Sequence, residues 1–250
     1  MALFHCEWSS QAVRMPASAT VILPHDVTKS GEPAPVLYLL HGKSHNHASW
    51  HRYTSLERYC QDYHAAVIMP EVNRSFYTDM KYGVDYYTYL TEELPALCGS
   101  MFNISTAPED SYIAGMSMGG YGALKAALGC PDRYRACGAI SAVTNIYRKI
   151  DSTPDSDPKK EELRGIFGED LKVSEKDDLQ ALALKAKNHG VIPELYLACG
   201  SQDHLYPDSV EFDQFLTEHG ISHTFEEWTG IHDWIFWDTA IHKVLRSFFG

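Results

Sequence analysis

Short, nearly continuous apolar runs recur along the chain, and stretches of helical length separate them. Runs that are apolar at consecutive positions are typical of strands buried on both faces of a parallel sheet. Because parallel neighbours need crossover connections, the alternation predicts an α/β fold with a doubly wound, mostly parallel sheet and helices on both faces. The predicted strands are 17–24, 36–40, 65–70, 111–114, 136–143, 194–200 and 223–228, and the predicted helices are 50–63, 85–98, 123–128, 179–187, 209–218 and 234–249. Pro95 predicts a kink or an early end of its helix.

A serine between two glycines stands where one predicted strand turns into a helix. The run 111–114 leads into Gly115-Met-Ser-Met-Gly119, and a helix-forming run follows at once. Such a sharp turn would hold the hydroxyl of Ser117 at its tip, and the glycines would let neighbouring backbone pass close by. The pentapeptide also occurs by chance. Catalysis therefore requires a base, an acid and an oxyanion site elsewhere in the chain.

An acid and a histidine follow two later strands, at the edge of the sheet where functional side chains collect. Asp203 comes just after the strand 194–200, and His232 lies in the loop after 223–228. The order Ser117, Asp203, His232 is the one expected when a nucleophile on a strand-to-helix turn is followed by its acid and its base. His232 would take the serine proton, and Asp203 would orient the imidazole and stabilise its charged form.

Other residues compete for these two roles. Asp208 lies one short turn after Asp203, whereas Asp233 and Asp238 are too near His232 in sequence to approach it easily from another strand. His223 is the rival base, but its position at the start of a strand predicts the wrong end of the sheet. An aspartate in a turn after a strand is also often only a capping residue.

Two backbone N–H groups are predicted to stabilise the negative charge that develops on the substrate. Met118 directly follows the nucleophile at a helix start, where unpaired N–H groups and the helix dipole favour an anion. The loop after the strand 36–40 would supply the second donor, and Lys43 is its most favoured residue. Four histidines in and after this loop raise zinc or copper binding as an alternative, which the missing carboxylate or cysteine cluster disfavours. They are His41, His45, His47 and His51.

Composition narrows the function classes. The 250 residues are 44% hydrophobic and carry a formal net charge of -12, which disfavours nucleic acid as a partner. The first residues lack a basic, then apolar leader, and no run of about 18 apolar residues predicts a membrane span. The six cysteines are scattered without paired spacing, which favours reduced thiols and a cytoplasmic protein.

The segment 151–178 interrupts the strand rhythm after the predicted strand 136–143. It is charged and rich in turn residues, yet it also contains Leu163, Ile166 and Phe167. We interpret it as a small insertion that lies over the carboxyl edge of the sheet as a lid, with a solvated loop as the alternative. The length does not require a second domain, so residues 1–250 are predicted to form one.

Four stretches resemble the tributyrin esterase branch of the esterase D group within the α/β-hydrolase superfamily. They are Leu39-Leu-His-Gly, Pro70-Glu-Val-Asn-Arg-Ser-Phe-Tyr-Thr-Asp-Met, Gly115-Met-Ser-Met-Gly-Gly-Tyr-Gly-Ala-Leu and Gly230-Ile-His-Asp-Trp. The resemblance implies an α/β-hydrolase fold and a cofactor-free carboxylesterase that acts on short acyl chains, with Ser117, Asp203 and His232 at the triad positions. It also implies an ester as the small-molecule partner, and relatives often form homo-oligomers.

The chain departs from the branch at two positions. His45 occupies a position that is usually glycine, and its side chain would narrow the acyl pocket or shift the oxyanion loop. Met116 stands before the nucleophile, where S-formylglutathione hydrolases tend to have histidine, which favours an esterase over a thioesterase. A thioesterase, or a non-catalytic binding protein with this fold, is the alternative function.

Aromatic and acidic residues near the predicted site suggest a substrate wall. Tyr77, Asp79 and Trp234 lie in or beside site-forming loops and are predicted to contact an acyl or phenolic group. For the neighbouring Phe236 and Trp237, ordinary core packing is the favoured interpretation. Feruloyl esters and acetylated sugars are the candidate natural substrates.

Overall fold

A computed structural model describes residues 1–25 and 31–250, and its centre is one eight-stranded sheet. The strand order is β1-β2-β4-β3-β5-β6-β7-β8, in which β1, β2 and β4 pair antiparallel and every pair from β4 to β8 is parallel. The strands are β1 Ala2–Ser9, β2 Pro16–Leu23, β3 Val36–Leu40, β4 Ala66–Pro70, β5 Ser111–Met116, β6 Ala136–Ile140, β7 Glu194–Gly200 and β8 Thr224–Trp228. The predicted α/β class and mostly parallel sheet are confirmed.

Helices cover both faces of the sheet. They are α1 Ser49–Tyr53, α2 Leu56–Tyr63, α3 over 86–101, α4 Met118–Gly129, α5 Ile146–Asp151, α6 Pro158–Phe167, α7 Leu179–His189, α8 Tyr206–Glu218 and α9 Trp234–Phe249. None of the described helices combines the length and the apolar character needed to cross a membrane.

Alternate residues of the central strands enter two separate cores, which explains why the apolar runs are continuous. Val36, Tyr38 and Leu40 of β3 pack into the core that includes α3, α4 and α7. Leu37 and Leu39 pack on the opposite face, in the core that includes α9 and residues of α1 and α2. Because a strand sends successive side chains to opposite faces, a strand with two covered faces needs apolar residues at every position.

The first strand was not predicted from the sequence. β1 lies at the edge of the sheet and pairs antiparallel with β2 along its whole length, from Ala2 opposite Leu23 to Ser9 opposite Pro16. Most of its side chains are exposed, and only Cys6 and Trp8 are partly buried against the core. An edge strand with one covered end has no continuous apolar run, so the pattern that predicts buried strands misses it.

Two predicted helices differ in detail. The stretch 50–63 forms two helices because the Thr54 hydroxyl donates to the Trp50 carbonyl and accepts from the Leu56 N–H, which ends α1 and starts α2.

Helix α3 continues past Pro95 instead of ending there. It consists of Tyr86–Thr88, a π-helical segment Tyr89–Glu93 and Leu94–Met101. Pro95 has no N–H for the Thr91 carbonyl four residues earlier, and the Arg133 guanidinium donates to that carbonyl instead. The wider π turn therefore absorbs the proline without ending the helix.

The segment 151–178 folds against the body of the protein. α6 buries Leu163, Ile166 and Phe167, and its last turn accepts backbone hydrogen bonds from Lys81 and Tyr82 at 2.9 Å each. A short 3₁₀ turn, Glu175–Asp177, then leads into α7. The predicted apolar residues thus act as the packed face of an ordered helix.

A buried ion pair fastens this segment to the helix that follows the nucleophile. Lys125 of α4 is 1% exposed, and its ammonium lies 2.5 Å from an oxygen of Asp177. The same ammonium donates to the Thr78 hydroxyl and the Tyr77 carbonyl, at 2.8 and 3.2 Å. Burial lowers the pKa of Lys125, and the attraction of Asp177 opposes but does not cancel that effect. The Lys125 ammonium therefore connects three segments of the chain: α4, residues 77–78 and the segment 151–178.

We predict that Lys125→Met lowers the free energy of unfolding by about 3–5 kcal/mol, because it leaves Asp177 buried without its partner. Urea unfolding measures the change, with the exposed Lys185→Met as the matched control. Adding Asp177→Leu should recover part of the loss, since no unpaired charge then remains. A Lys125→Met protein as stable as the control would show that the ion pair is not holding these segments together.

Candidate active site

The backbone at Ser117 is strained in the way that the sequence predicts. β5 ends at Met116, α4 begins at Met118, and Ser117 between them has φ 56° and ψ -118°. This conformation costs a serine on the order of 1–3 kcal/mol. Neighbouring backbone stabilises it, because the Ser117 N–H donates to the Ile140 carbonyl at 2.9 Å and the Ser117 carbonyl accepts from Tyr121 and Val143.

Two glycines make this turn possible. A Cβ atom on Gly119 would lie 2.4 Å from the Leu40 carbonyl oxygen, and one on Gly115 would lie 2.4 Å from the carbonyl oxygen of Gly119. Neither position can accept a side chain without moving backbone. The end of β3 and the start of α4 therefore touch, which sets the nucleophile turn beside the loop that follows β3.

Three side chains form one hydrogen-bonded chain at the carboxyl edge of the sheet. His232 Nε2 lies 3.0 Å from Ser117 Oγ, and His232 Nδ1 lies 2.8 Å from Asp203 Oδ2. Because a carboxylate can only accept, Nδ1 carries the proton and Nε2 is free to accept the serine proton. The structure thus brings together the three residues predicted from loops that are far apart in sequence.

The electrostatics keep Asp203 ionised. Its side chain is fully buried, and burial alone raises the pKa of the carboxyl group. Hydrogen bonds from His232 and from the Leu205 N–H outweigh that effect, so the pKa lies below the ordinary value for aspartate. A buried carboxylate that remains charged is suited to stabilise the imidazolium that forms when His232 takes a proton.

The acid and histidine loops support each other. Ser201 and Gln202, just after β7, donate backbone hydrogen bonds of 3.0 Å to the carbonyls of Trp228 and Gly230. The Trp237 ring stands perpendicular to the His232 imidazole, with 4.9 Å between ring centroids. These contacts set the distance between Asp203 and His232 through backbone pairing and fix the imidazole orientation by packing.

The rival residues are engaged elsewhere. Asp208 forms an ion pair with Arg148, and Asp233 caps α9 by accepting from a backbone N–H at 3.0 Å. Asp238 accepts hydrogen bonds from the Ser55 N–H, just before α2, and from the Tyr59 hydroxyl within α2. His223, just before β8, lies 2.8 Å from a carboxylate on α8.

The two predicted oxyanion donors have different surroundings. Met118 is the first residue of α4, so its N–H has no acceptor within the helix and lies at the positive end of the dipole. The ammonium of Lys43 is directed away towards α6, where it lies 2.7 Å from Glu162. Arg74 binds the same carboxylate at 2.9 Å. Lys43 could therefore serve the oxyanion only through its backbone N–H.

The loop after β3 is braced from behind. The Glu71 carboxylate accepts the backbone N–H of His47 at 3.1 Å and lies 3.4 Å from His41 Nε2. The ring of His41 donates through Nδ1 to the Gly42 carbonyl at 2.8 Å. The Tyr77 hydroxyl donates to the carbonyl of His41 at 2.9 Å. This network holds the backbone of the predicted oxyanion loop.

Two of the three predicted substrate contacts need correction. Tyr77 is completely buried behind the loop and has no surface to offer a substrate. Asp79 uses both carboxylate oxygens to accept from the backbone and hydroxyl of Thr88, each at 2.9 Å, inside α3. An aromatic or acidic residue in a site-forming loop can equally support that loop, and sequence does not distinguish the two uses.

Trp234 does lie beside the site, in an aromatic cluster at the start of α9. Its indole N–H donates to His45 Nε2 at 3.2 Å, and its ring packs on Trp50, Tyr53 and Trp237. The side chain of His45, at a position where the resembled esterases usually have glycine, therefore packs into this aromatic cluster. Burial lowers the pKa of His45, with His41 and then His232 lowering it further, so the neutral form that can accept from Trp234 is favoured.

The four loop histidines do not gather around one point. His47 shares the Thr20 hydroxyl with His5, at 2.8 and 3.1 Å, and so helps dock β1. Within the part of the chain that the structure describes, the three metal-capable groups found within 4.8 Å of one another are Asp203, His204 and His232.

His204 is a site neighbour that the sequence prediction missed. Its ring lies 4.6 Å from that of His232, and its Nδ1 lies 3.3 Å from Asp203 Oδ1. It directly follows the predicted acid, but sequence position alone does not show that its side chain would turn towards His232.

The fold and these contacts define a serine hydrolase of the α/β-hydrolase class, and comparison with known proteins agrees. The family described as "Putative esterase" matches residues 10–248, so the chain belongs to this esterase family. An acetyl esterase from Caldicellulosiruptor saccharolyticus is 30% identical over 255 residues, covering 96% of each chain.

Two solved structures are similar over the whole chain. One is a substrate-bound fluorophosphonate-binding serine hydrolase F from Staphylococcus aureus, with 34% identity, a TM-score of 0.90 and coverage of 100% of this chain and 98% of that one. The other is an S-formylglutathione hydrolase from the same species, with 35% identity, a TM-score of 0.89 and coverage of 100% and 99%. The predicted family and class of enzyme are confirmed.

The lowered pKa of His45 predicts how stability depends on pH. In the unfolded chain, His45 takes up a proton near pH 6.5, whereas in the folded protein its lowered pKa keeps it neutral to a lower pH. Protonation of His45 therefore favours the unfolded state, so the free energy of unfolding is unaffected by it above pH 6.5 and decreases as the pH falls below that value. The unfolding free energy of the wild type should therefore fall more steeply from pH 7 to pH 5 than that of His45→Gln. The difference should stay below about 1.4 kcal/mol per pH unit, the limit for one proton, because solvent partly screens this half-exposed group.

Urea unfolding at several pH values measures both slopes. Glutamine can still accept from the Trp234 indole, so the variant should remain folded. The exposed His189→Gln serves as the control. Equal slopes for the wild type and His45→Gln would contradict the prediction.

Proposed function

We propose that this protein is a serine carboxylesterase that hydrolyses short-chain acyl esters, of acetyl to butyryl size, through an acyl-enzyme on Ser117. The observation that carries the proposal is the hydrogen-bonded chain from Ser117 through His232 to the buried Asp203. The strained nucleophile, a histidine with its proton on Nδ1 and an ionised aspartate lie together. They are at the carboxyl edge of the sheet, where such sites form.

The reaction follows from the positions of these groups. His232 Nε2 accepts the proton as Ser117 Oγ attacks the ester carbonyl carbon, and the carbonyl oxygen becomes an oxyanion near the N–H groups of Met118 and Lys43. The C–O bond to the alcohol then breaks, and His232 gives its proton to the leaving oxygen. Water repeats the sequence on the acyl-enzyme, and releases the carboxylic acid and the free serine.

The proposed substrate range rests on the aromatic cluster beside His232 and on the named activity of a related protein. The cluster of His45, Trp234 and Trp237 beside His232 limits the space near the reacting carbon, which favours a small acyl group. The 30% identical relative named as an acetyl esterase supports the same choice. An acetylated sugar is the natural ester that fits this choice. A feruloyl ester, whose acyl group is larger than butyryl, is the alternative that a flat aromatic surface would suit.

A thioester is the second candidate substrate, because the relative at 35% identity is named as an S-formylglutathione hydrolase. The same nucleophile and base cleave either bond. Met116 stands before the nucleophile, where S-formylglutathione hydrolases tend to have histidine, and this departure supports the ester as the preferred substrate. We also propose a reducing, cytoplasmic location, because all six cysteines are free thiols.

Replacing Ser117 tests the proposal directly. Ser117→Ala should lower kcat/KM for p-nitrophenyl acetate by about 10⁴-fold or more, because no nucleophile remains, while the unfolding midpoint stays close to that of the wild type. The exposed Ser201→Ala, in the acid loop, is the matched control and should keep full activity. A panel with p-nitrophenyl butyrate, an acetylated sugar, a feruloyl ester and S-formylglutathione then ranks substrates by kcat/KM. Substantial activity in a folded Ser117→Ala protein would overturn the proposal.

A further inference from the structure

A second histidine ring lies against the acid and the base of the site. His204 Nδ1 lies 3.3 Å from Asp203 Oδ1, and the rings of His204 and His232 are 4.6 Å apart between centroids. The other oxygen of the same carboxylate lies 2.8 Å from His232 Nδ1. The proton path from Ser117 through His232 to Asp203 uses only one of these two imidazoles. His204 therefore adds a nitrogen that the ester chemistry does not need.

The turn after β7 fixes this arrangement. The Asp203 N–H donates to the Gly200 carbonyl at 2.9 Å, and the Tyr206 N–H donates to the Asp203 carbonyl at 3.0 Å. The Leu205 N–H donates to Asp203 Oδ1 at 2.9 Å. Because His204 lies inside this short turn, the hydrogen bonds that position the acid also hold the backbone of His204.

Solvent reaches this group of side chains from the side of His204. The side chain of His204 is 66% exposed and that of His232 is 21% exposed, whereas the side chain of Asp203 has no exposed surface. A cation that arrives from solvent therefore meets the His204 ring first and the carboxylate behind it. The formal net charge of -12 also attracts cations to the protein in general.

Two imidazoles and one carboxylate are a donor set that zinc uses in proteins. One ligand atom from each of Asp203, His204 and His232 can be chosen so that all three lie within 4.8 Å of one another. Bonds of about 2.0–2.2 Å in a tetrahedral zinc site place the ligand atoms roughly 3.3–3.6 Å apart. The 3.3 Å between His204 Nδ1 and Asp203 Oδ1 already matches this spacing.

Only a small movement is needed to complete the site. The 2.8 Å between His232 Nδ1 and Asp203 Oδ2 has to widen by roughly half an ångström to reach the spacing of two zinc ligands. The hydrogen bond from the Leu205 N–H can remain, since a carboxylate oxygen has two lone pairs. The fourth position of the ion is then open to water.

A zinc ion bound at His232 Nδ1 would stop the reaction. In the active form, the proton of this ring is on Nδ1, and Nε2 accepts the proton of Ser117 from 3.0 Å away. The ion takes the place of the Nδ1 proton, and the ring regains a proton from solvent on Nε2, so its proton count does not change. An Nε2 that already carries a proton cannot act as the base.

We propose that Asp203, His204 and His232 form an inhibitory zinc site, in which the bound ion holds His232 in the tautomer that cannot activate Ser117. Binding of the ion is independent of the proposed esterase function, whereas the inhibition rests on it. His204 is the residue that distinguishes this site from the triad, because it contributes a zinc ligand and no step of ester hydrolysis.

Inhibition of the purified protein by Zn²⁺ tests the proposal. The protein is freed of metal with EDTA and desalted, and hydrolysis of p-nitrophenyl acetate is followed as Zn²⁺ is added, with hydrolysis in the absence of enzyme subtracted. The wild type should lose nearly all of its activity at saturating zinc and regain it when EDTA is added. Each variant is compared with its own rate without zinc.

His204→Phe should raise the zinc concentration for half inhibition by about 10-fold or more, because even residues behind a metal ligand contribute that much to affinity. Phenylalanine keeps a ring beside His232 and removes the nitrogen. His189→Phe is the matched control, since His189 on α7 makes a comparable contact of 3.2 Å with Asp132. This control should be inhibited at the same zinc concentration as the wild type.

Equilibrium dialysis against Zn²⁺ alone measures binding without activity. The wild type and Ser117→Ala should bind one ion with the same affinity, and His204→Phe should bind it at least about 10-fold more weakly. Equal zinc affinity in the wild type and His204→Phe, or an active wild type that binds zinc without losing activity, would overturn the proposal and leave the esterase function intact. Absence of hydrolysis by the metal-free wild type would instead contradict the esterase function, while dialysis would still test the zinc site.

Discussion

The site depends on one strained residue, Ser117, in a left-handed backbone conformation between β5 and α4. The strain persists because carbonyl and amide groups of β6, α4 and the loop after β6 all bind its backbone. It also persists because Gly119 lets α4 start against the carbonyl end of β3. The same contacts bring the oxyanion loop, the nucleophile and the loop after β6 together. The contacts that stabilise the strained backbone of Ser117 are therefore the same contacts that assemble the site.

The parallel sheet brings Asp203 and His232, which are far from Ser117 in sequence, to the same edge as the nucleophile. Asp203 and His232 come from loops after neighbouring strands, and backbone hydrogen bonds between those loops fix their spacing. A second layer of polar contacts then supports the groups that act on the substrate. Glu71 and Tyr77 hold the loop that contains His41 and Gly42, while Lys125 and Asp177 fasten α4 to the segment before α7. These buried polar and charged groups do not act on the substrate; they hold the loops and helices around the site in place.

The features that were predictable from sequence share a physical reason: they repeat or they are local. Buried strands need apolar residues at every position, and the turn at Ser117 needs its glycines within two residues. Asp203 and His232 could be predicted because the ends of parallel strands meet at one edge. By contrast, β1 is an edge strand with little buried surface, and the π turn in α3 depends on a distant Arg133. The burial of Tyr77 and the approach of His204 to His232 likewise depend on three-dimensional packing that no local pattern contains.

The central claim, that Ser117 forms an acyl-enzyme, is tested most directly by trapping that intermediate. The protein is mixed briefly with p-nitrophenyl acetate, quenched in acid, digested and examined by peptide mass spectrometry. The account predicts an acetyl group on Ser117, formed during turnover and absent from Ser117→Ala. Turnover without any acetylated Ser117, or with the acetyl group on another residue whose replacement abolishes activity, would contradict it.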